Sequence, residues 1–328
     1  MTKIFNLLLF SWSLLSAGMI ISAGGFDVKK HADSYSFKDS NRSGSSVNIT
    51  EVLQKKSQNT SSVSIWITRD WKESWYSVES MQNNILDKGY TPMFMFYFFA
   101  DEINPDFILK NKKEYFKTLR KFTKYLKKLK GQKIVVLNPE YNMFGVEKLD
   151  EMNDIFLKSF KILRADPQVI VGPCVGDFGN YKKVNEPKEW ALFDTSLKRA
   201  VKKADFIAFQ EMRALTRNSK QDILNTPKRA YYFSKYLHKK YKKPTLLAYT
   251  AISSYGKGGE SIQSNVYKGF VKYLPKMYKE SKLMAFGTFH YFDYPTHVGY
   301  FNEAEEFFGV LRKDGTAKPA LKYYNQLH

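Results

Sequence analysis

Among 328 residues the chain has one cysteine, Cys174. No internal disulfide can form, so a secreted form would rest on its core alone, which a chain of this size can supply. Cys174 sits in an apolar, strand-like context and reads as a buried inert thiol rather than a nucleophile. Cys and His never fall at zinc-ligand spacing, so no metal is expected. Neither G-x-G-x-x-G nor G-x-x-x-x-G-K-S/T follows an apolar run, so there is no phosphate-cradling loop and no cofactor is implied. Ser253 and Ser254 lack the glycine pattern of a nucleophile elbow, which argues against a Ser/His/Asp triad. Nucleic-acid-binding motifs are absent as well, and no nucleic-acid partner is expected. Beyond the first residues, no run is long and apolar enough to cross a membrane. Acidic residues are also scarce: 32 Asp and Glu stand against 52 Lys and Arg, a net charge of +20.

That excess of base would draw the protein to anionic surfaces such as acidic glycans or a bacterial envelope. The plainer alternative is a composition biased toward Lys, Asn, Ile, Tyr and Phe, since stretches such as Lys110 to Lys130 also look like solvated helix faces. At the start, Lys3 precedes an apolar run from Ile4 to Ile21, and Ser22, Ala23 and Gly24 offer small side chains to a signal peptidase. Residues 1–23 therefore read as a removable secretory signal, with a membrane anchor as the alternative. The expected mature protein is periplasmic or extracellular, monomeric and not inserted in a membrane. No Cys follows the apolar run, so a lipoprotein anchor is not expected. Residues 24–62 are rich in Ser, Asn and Lys and read as a polar lead-in. Asn41, Asn48 and Asn59 begin sequons that carry meaning only in a eukaryotic secretory origin.

From Val63 a rhythm sets in. Apolar runs at Val63–Thr68, Thr91–Phe98, Lys133–Leu137, Gln168–Gly172, Asp205–Phe209, Pro244–Tyr249 and Met284–His290 alternate with amphipathic stretches of helical length. In one of these, Tyr115, Leu119, Phe122, Leu126 and Leu129 recur at helical spacing. Strands that are apolar throughout belong to a parallel sheet covered on both faces, and alternation with helices means βα units. The expected fold is a single (β/α)8 barrel over 63–328. Seven strands are visible, and the eighth is expected near Val47 to Leu53. An open doubly wound sheet is the competing architecture, disfavoured because no glycine-rich loop is present.

A barrel of this kind carries its site where the strands end. Polar and aromatic residues cluster there: Asp101 and Glu102; Asn138-Pro139-Glu140-Tyr141; Asp177; Gln210 and Glu211; Tyr249; His290, Tyr291 and Asp293. Rings stack on sugar C–H faces while carboxylates and amides hold hydroxyls, so the set describes a glycan cleft. Glu140 follows a wholly apolar strand, where apolar walls would raise its pKa as a proton donor requires. Glu211 is the best second carboxylate, with an ion pair to Arg213 as the competing role. Asn138, Tyr141, Asp101, Asp177, Tyr249, His290, Tyr291 and Asp293 are candidate sugar-binding residues.

Ile134-Val135-Val136-Leu137 followed by Asn138-Pro139-Glu140 resembles the fourth strand of clan A glycoside hydrolases. The segment from Gly309 to Ala320 is similar to the lead into the last helix of those barrels. The resemblance implies Glu140 as acid/base and Asn138 as a hydroxyl ligand, although Pro139 separates the pair here. The clan's nucleophile would sit at the end of the seventh strand, where this chain has Ala248-Tyr249-Thr250 and no carboxylate. Two routes stay open: inversion with Glu211 as base, or Glu140 alone assisted by water or a substrate N-acetyl group. Peptidoglycan, cut in a lysozyme-like manner, is the favoured substrate. An exopolysaccharide or plant polysaccharide, or a barrel that only binds glycan, are the alternatives.

Overall fold

A computed structural model describes residues 18–24, 36–38, 46–295 and 297–328. Eight parallel strands close into a barrel in chain order. They are β1 (Ile20–Ala23), β2 (Ser62–Thr68), β3 (Thr91–Tyr97) and β4 (Lys133–Leu137), followed by β5 (Val169–Gly176), β6 (Ile207–Arg213), β7 (Thr245–Ile252) and β8 (Leu283–Thr288). The expected (β/α)8 barrel is therefore the fold. Around it lie α1 (Ile49–Lys56), α2 (Pro105–Leu126), α3 (Glu151–Leu163), α4 (Thr226–Tyr241), α5 (Gly259–Ser281) and α6 (Pro319–Tyr324), with short helical turns between. Local rules place the ends. Asn104 caps α2 by accepting from the Phe107 amide at 2.9 Å, and Pro105 opens the helix where its missing N–H costs nothing.

The eighth strand is not where the sequence places it. Val47 to Leu53 leads into α1, and the stave that closes the barrel is Ile20–Ala23. It pairs with β8 through Ile20–Ala285 and Ile21–Phe286, and with β2 through Ser22–Ser62 and Ala23–Val63. A cleavage after Ala23 would remove a barrel strand, so the boundaries at 23 and 63 are both corrected. The rest of the expected leader, residues 1–17, lies outside the described residues, as do 25–35 and 39–45 of the lead-in. Within that lead-in, Ser36–Lys38 and Ser46–Asn48 form a two-stranded antiparallel pair, and Ile49 and Leu53 of α1 join the core. Gly24, offered as a cleavage-site residue, is held in the barrel wall. A Cβ there would meet Ser64 Oγ and the Thr288 carbonyl oxygen at 2.3 Å each.

Alternation along each strand divides the core in two. Met93, Met95, Ile134, Val136, Cys174, Ala208 and Leu246 fill the barrel interior, while Phe94, Val135, Val171, Phe209 and Phe286 face the helices. Each large side chain buried this way contributes roughly 1.5–3 kcal/mol. The buried, inert thiol expected at Cys174 is what burial makes of it, with its pKa pushed well up.

Candidate active site

Glu140 follows β4 at the barrel mouth. Asn138 and Glu140 have φ of 47° and 60°, in the left-handed region that non-glycine residues seldom adopt. The strand's alternation breaks there. The side chain of Asn138 turns outward and donates to the Tyr115 hydroxyl at 3.3 Å, and Glu140 returns to the interior side. Ala100, Phe144 and Asn302 on neighbouring loops share positive φ, so backbone strain gathers around this mouth.

One oxygen of Glu140 accepts a hydrogen bond from the Tyr249 hydroxyl at 2.6 Å. Tyr249 reaches it because β7 carries a register shift against β6: Phe209 pairs with Leu247, but Gln210 pairs with Tyr249. Such a bulge re-aims a side chain, and here it turns Tyr249 inward. Trp66 of β2 lies edge-on to Tyr97, Tyr249 and Phe289, with centroids 5.2, 5.3 and 5.3 Å away. Trp66, Tyr97 and Phe289 are partly exposed, so they offer ring surface beside the carboxyl. Burial pushes the Glu140 carboxyl up to about 7. The Tyr249 hydrogen bond pulls it down, and the negative charges of Asp101 and Glu305 push it further up.

Of the other expected site residues, only some share this mouth. Asp101 is exposed and accepts from the Tyr97 hydroxyl at 2.7 Å. His290 is buried, stacks on Phe289 at 4.5 Å, and has its pKa driven well below the usual value by burial and by His297. Tyr141, Asp177, Tyr291 and Asp293 are elsewhere. The Tyr141 hydroxyl meets Ser196 at 3.2 Å and its ring packs on Phe156 in the helical layer. Tyr291 meets Ser57 at 2.7 Å behind the barrel wall. Asp293 binds Lys318 and the Gly309 amide, in a side cavity of about 620 Å³ that Ser254 and Glu260 also line. None of these four, nor Asn138, is placed to hold a ligand beside Glu140.

Glu211 is the largest correction. β6 runs on to Arg213, so Glu211 is not on a loop but within the strand, on the same outward side as Ile207 and Phe209. It is fully buried, with its carboxylate 2.8 Å from Arg213 Nη2. Asp177, outward at the end of β5, accepts from Trp190 Nε1 at 2.9 Å and from Arg229, which also holds Glu186 at 2.7 Å. Burial, then the neighbouring negative charge of Asp177, push the Glu211 carboxyl well up, while Arg213 and Arg229 pull it down. In this belt Arg213 and Arg229 face Glu211, Asp177 and Glu186. The two glutamates face opposite sides of the barrel wall, and the paired-carboxylate route loses its base.

Four mouth residues, Trp66, Tyr97, Phe289 and Glu305, lie outside the set expected from sequence. Trp66 and Tyr97 point inward by strand alternation. Glu305, buried on the loop after β8, accepts from the Phe301 amide at 2.9 Å and lies 3.0 Å from His297 Nε2. Phe301, Ala304 and Phe308 of that loop pack onto Ala214, Ala251 and Phe289, covering one side of the mouth.

No family profile matches the chain, and no curated protein does. Solved structures do match in fold. A Bifidobacterium dentium β-glucuronidase superposes with a TM-score of 0.60 at 15% identity, over 94% of this chain and 46% of that one. This chain thus spans less than half of that enzyme. A family 17 β-1,3-glucanosyltransferase from Rhizomucor miehei gives 0.57 at 14% identity, over 92% and 96% of the two chains. A family 39 glycoside hydrolase from Xanthomonas axonopodis gives 0.55 at 13%, over 94% and 65%. At these identities the likeness is one of fold.

Proposed function

We propose that this protein is a glycoside hydrolase acting on a polysaccharide, with Glu140 as its general acid. The observation that carries the reading is a half-buried carboxyl at the end of β4, raised to about 7 and set among partly exposed rings. A carboxyl that keeps its proton near neutrality can hand it to a leaving glycosidic oxygen. Tyr249 occupies one oxygen of Glu140, which leaves the other for that proton. The fold neighbours named above are carbohydrate-active enzymes, which supports the same class.

The end of β7 offers a phenol where clan A enzymes keep a carboxylate, and Glu211 faces away. Displacement then falls to a substrate acetamido group, or to water held near Asp101 or Glu305, whose charges reach Glu140. The acetamido route suits an N-acetylated glycan. The net charge of +20 suits an acidic envelope, so peptidoglycan is the proposed substrate and the periplasm or cell exterior the proposed location. A second reading, a barrel that binds glycan without cutting it, is favoured by Tyr249 standing in the nucleophile's place. Incubation with purified cell walls and a panel of neutral polysaccharides separates the two. New reducing ends that vanish in Glu140→Gln support catalysis, and retention without release supports a binder.

A further inference from the structure

The helices of the barrel run back from the mouth, so the C-terminal halves of α2 and α3 lie toward its opposite end. Between them is a groove of about 800 Å³. Arg120, Lys124, Lys127, Lys158 and Lys161 wall it, and the acid beside them, Asp154, is tied to Arg199 at 3.2 Å. Some cations elsewhere on this basic surface have partners, as Lys117 with Glu114 at 3.4 Å, Lys128 with Glu73 at 2.6 Å and Lys235 with Glu280 at 2.7 Å. Among the described residues, the unpartnered ones there are not gathered around a groove of this size. In the groove Lys124, Lys127 and Lys161 are exposed and have no carboxylate partner among the described residues. Arg120 and Lys158 are held in place, the first donating to the Phe116 carbonyl oxygen at 3.3 Å, the second over the Phe116 ring at 4.3 Å. Five like charges around one concavity repel one another unless an anion relieves them.

The floor selects among anions. Leu157, Ile162 and Ala165 give it an apolar strip that the C–H faces of sugar rings can cover. The exposed large apolar residues that would anchor in a bilayer, among them Leu109, Phe144, Leu192 and Tyr278, all lie outside the groove. Among the described residues no aromatic ring lines it for base stacking, which separates it from a single-stranded nucleic-acid channel.

We propose that the α2–α3 groove binds an acidic polysaccharide chain, its carboxylates on the lysines and its ring faces on the apolar floor. The site is separate from Glu140, and the inference stands whether or not that carboxyl is catalytic. The test is binding of the full chain to polygalacturonate, with neutral dextran, anionic phosphatidylglycerol vesicles and duplex DNA as parallel probes. Polygalacturonate should bind in low salt and release as salt rises, whereas dextran should not bind at this groove. A triple reversal, Lys124→Glu, Lys127→Glu and Lys161→Glu, should weaken polygalacturonate binding at least tenfold. The same charge change placed on exposed Lys228, Lys239 and Lys279 should weaken it no more than about threefold, through the general field. Equal losses in the two triples would overturn the proposal, as would absence of polygalacturonate binding. Tighter capture of vesicles or DNA through the groove lysines would overturn it too, and would reassign the groove to that partner.

Discussion

The mouth around Glu140 and the belt around Glu211 each bury a glutamate, and in each burial is the largest influence pushing the carboxyl up. Their surroundings then diverge. Glu140 has one oxygen held by Tyr249, with its other oxygen free of hydrogen bonds among the described residues and partly exposed rings alongside. Glu211 is fully enclosed, with one oxygen bonded to Arg213 and no exposed surface. A raised pKa by itself therefore does not mark a working acid. Access for a substrate oxygen does, and that is decided by which side of the barrel wall a side chain leaves from.

The sharpest way to break this contrast is Glu140→Gln, which keeps shape and removes the transferable proton. Turnover should fall by about 10²–10⁴-fold with the fold intact. The same variant has a stability signature. Glu140 moves from 4.5 to about 7 on folding, so between these pH values the folded state binds more protons than the unfolded one. Its contribution is present below 4.5 and lost as pH rises toward 7. Thermal melts at pH 5 and pH 8 should show a larger decline in the native protein than in Glu140→Gln. Arg229→Ala should do the reverse. It strands Asp177 and Glu186 in the belt, and should cost about 3–5 kcal/mol in denaturant unfolding while turnover per folded molecule stays near the native value.

A smaller effect is expected of Tyr249→Phe. The phenol's hydrogen bond lowers the Glu140 pKa, so without it the carboxyl holds its proton to higher pH. A general acid works while protonated, which puts the native alkaline limb of kcat/KM near pH 7. In Tyr249→Phe that limb should move up by roughly one pH unit. An unmoved limb would detach Tyr249 from the proton's position.

Where sequence legibility ended has identifiable physical causes. Glu140 was readable because a wholly apolar strand must lie in a two-faced parallel sheet, and its first polar residues then fall at the mouth. That same apolarity hid the inward parity, so Trp66 and Tyr97 went unread, although Ser64, Trp66 and Thr68 alternate against Val63, Ile65 and Ile67. Glu211 was misplaced because its strand was ended at Phe209, whereas pairing with β7 continues to Arg213 opposite Ile252. Asn138 depends on a left-handed φ that no pattern announces. Ile20–Ala23 is apolar enough to serve as a leader or as a stave, and only its pairing with β2 and β8 decides. Glu305 reaches the mouth through a long loop whose path rests on Phe301 and Phe308 packing, a tertiary fact without local signal.

The smallest expected effect belongs to Glu211→Gln, and it is the variant that tests the contrast from the other side. Glu211 accepts from Arg213 Nη2 at 2.8 Å, and burial beside Asp177 raises its pKa well above the usual carboxylate value. A glutamine amide can still accept from Arg213 through its oxygen, and its nitrogen offers a donor in place of a second carboxylate oxygen near Asp177. The belt therefore keeps its bond to Arg213 and loses a like-charge neighbour of Asp177, and stability near neutrality should change by less than about 1 kcal/mol. Above 4.5 the native Glu211 binds a proton in the folded state that the unfolded chain releases, so rising pH works against the native protein. Glu211→Gln has no such proton to lose, and its melting temperature should overtake the native one as the solution becomes alkaline. Turnover should stay within about twofold, because nothing at the mouth depends on this side chain. A loss approaching that of Glu140→Gln would restore Glu211 as a working partner across the barrel wall. A destabilisation of several kcal/mol near neutrality would show instead that the belt holds Glu211 as an anion.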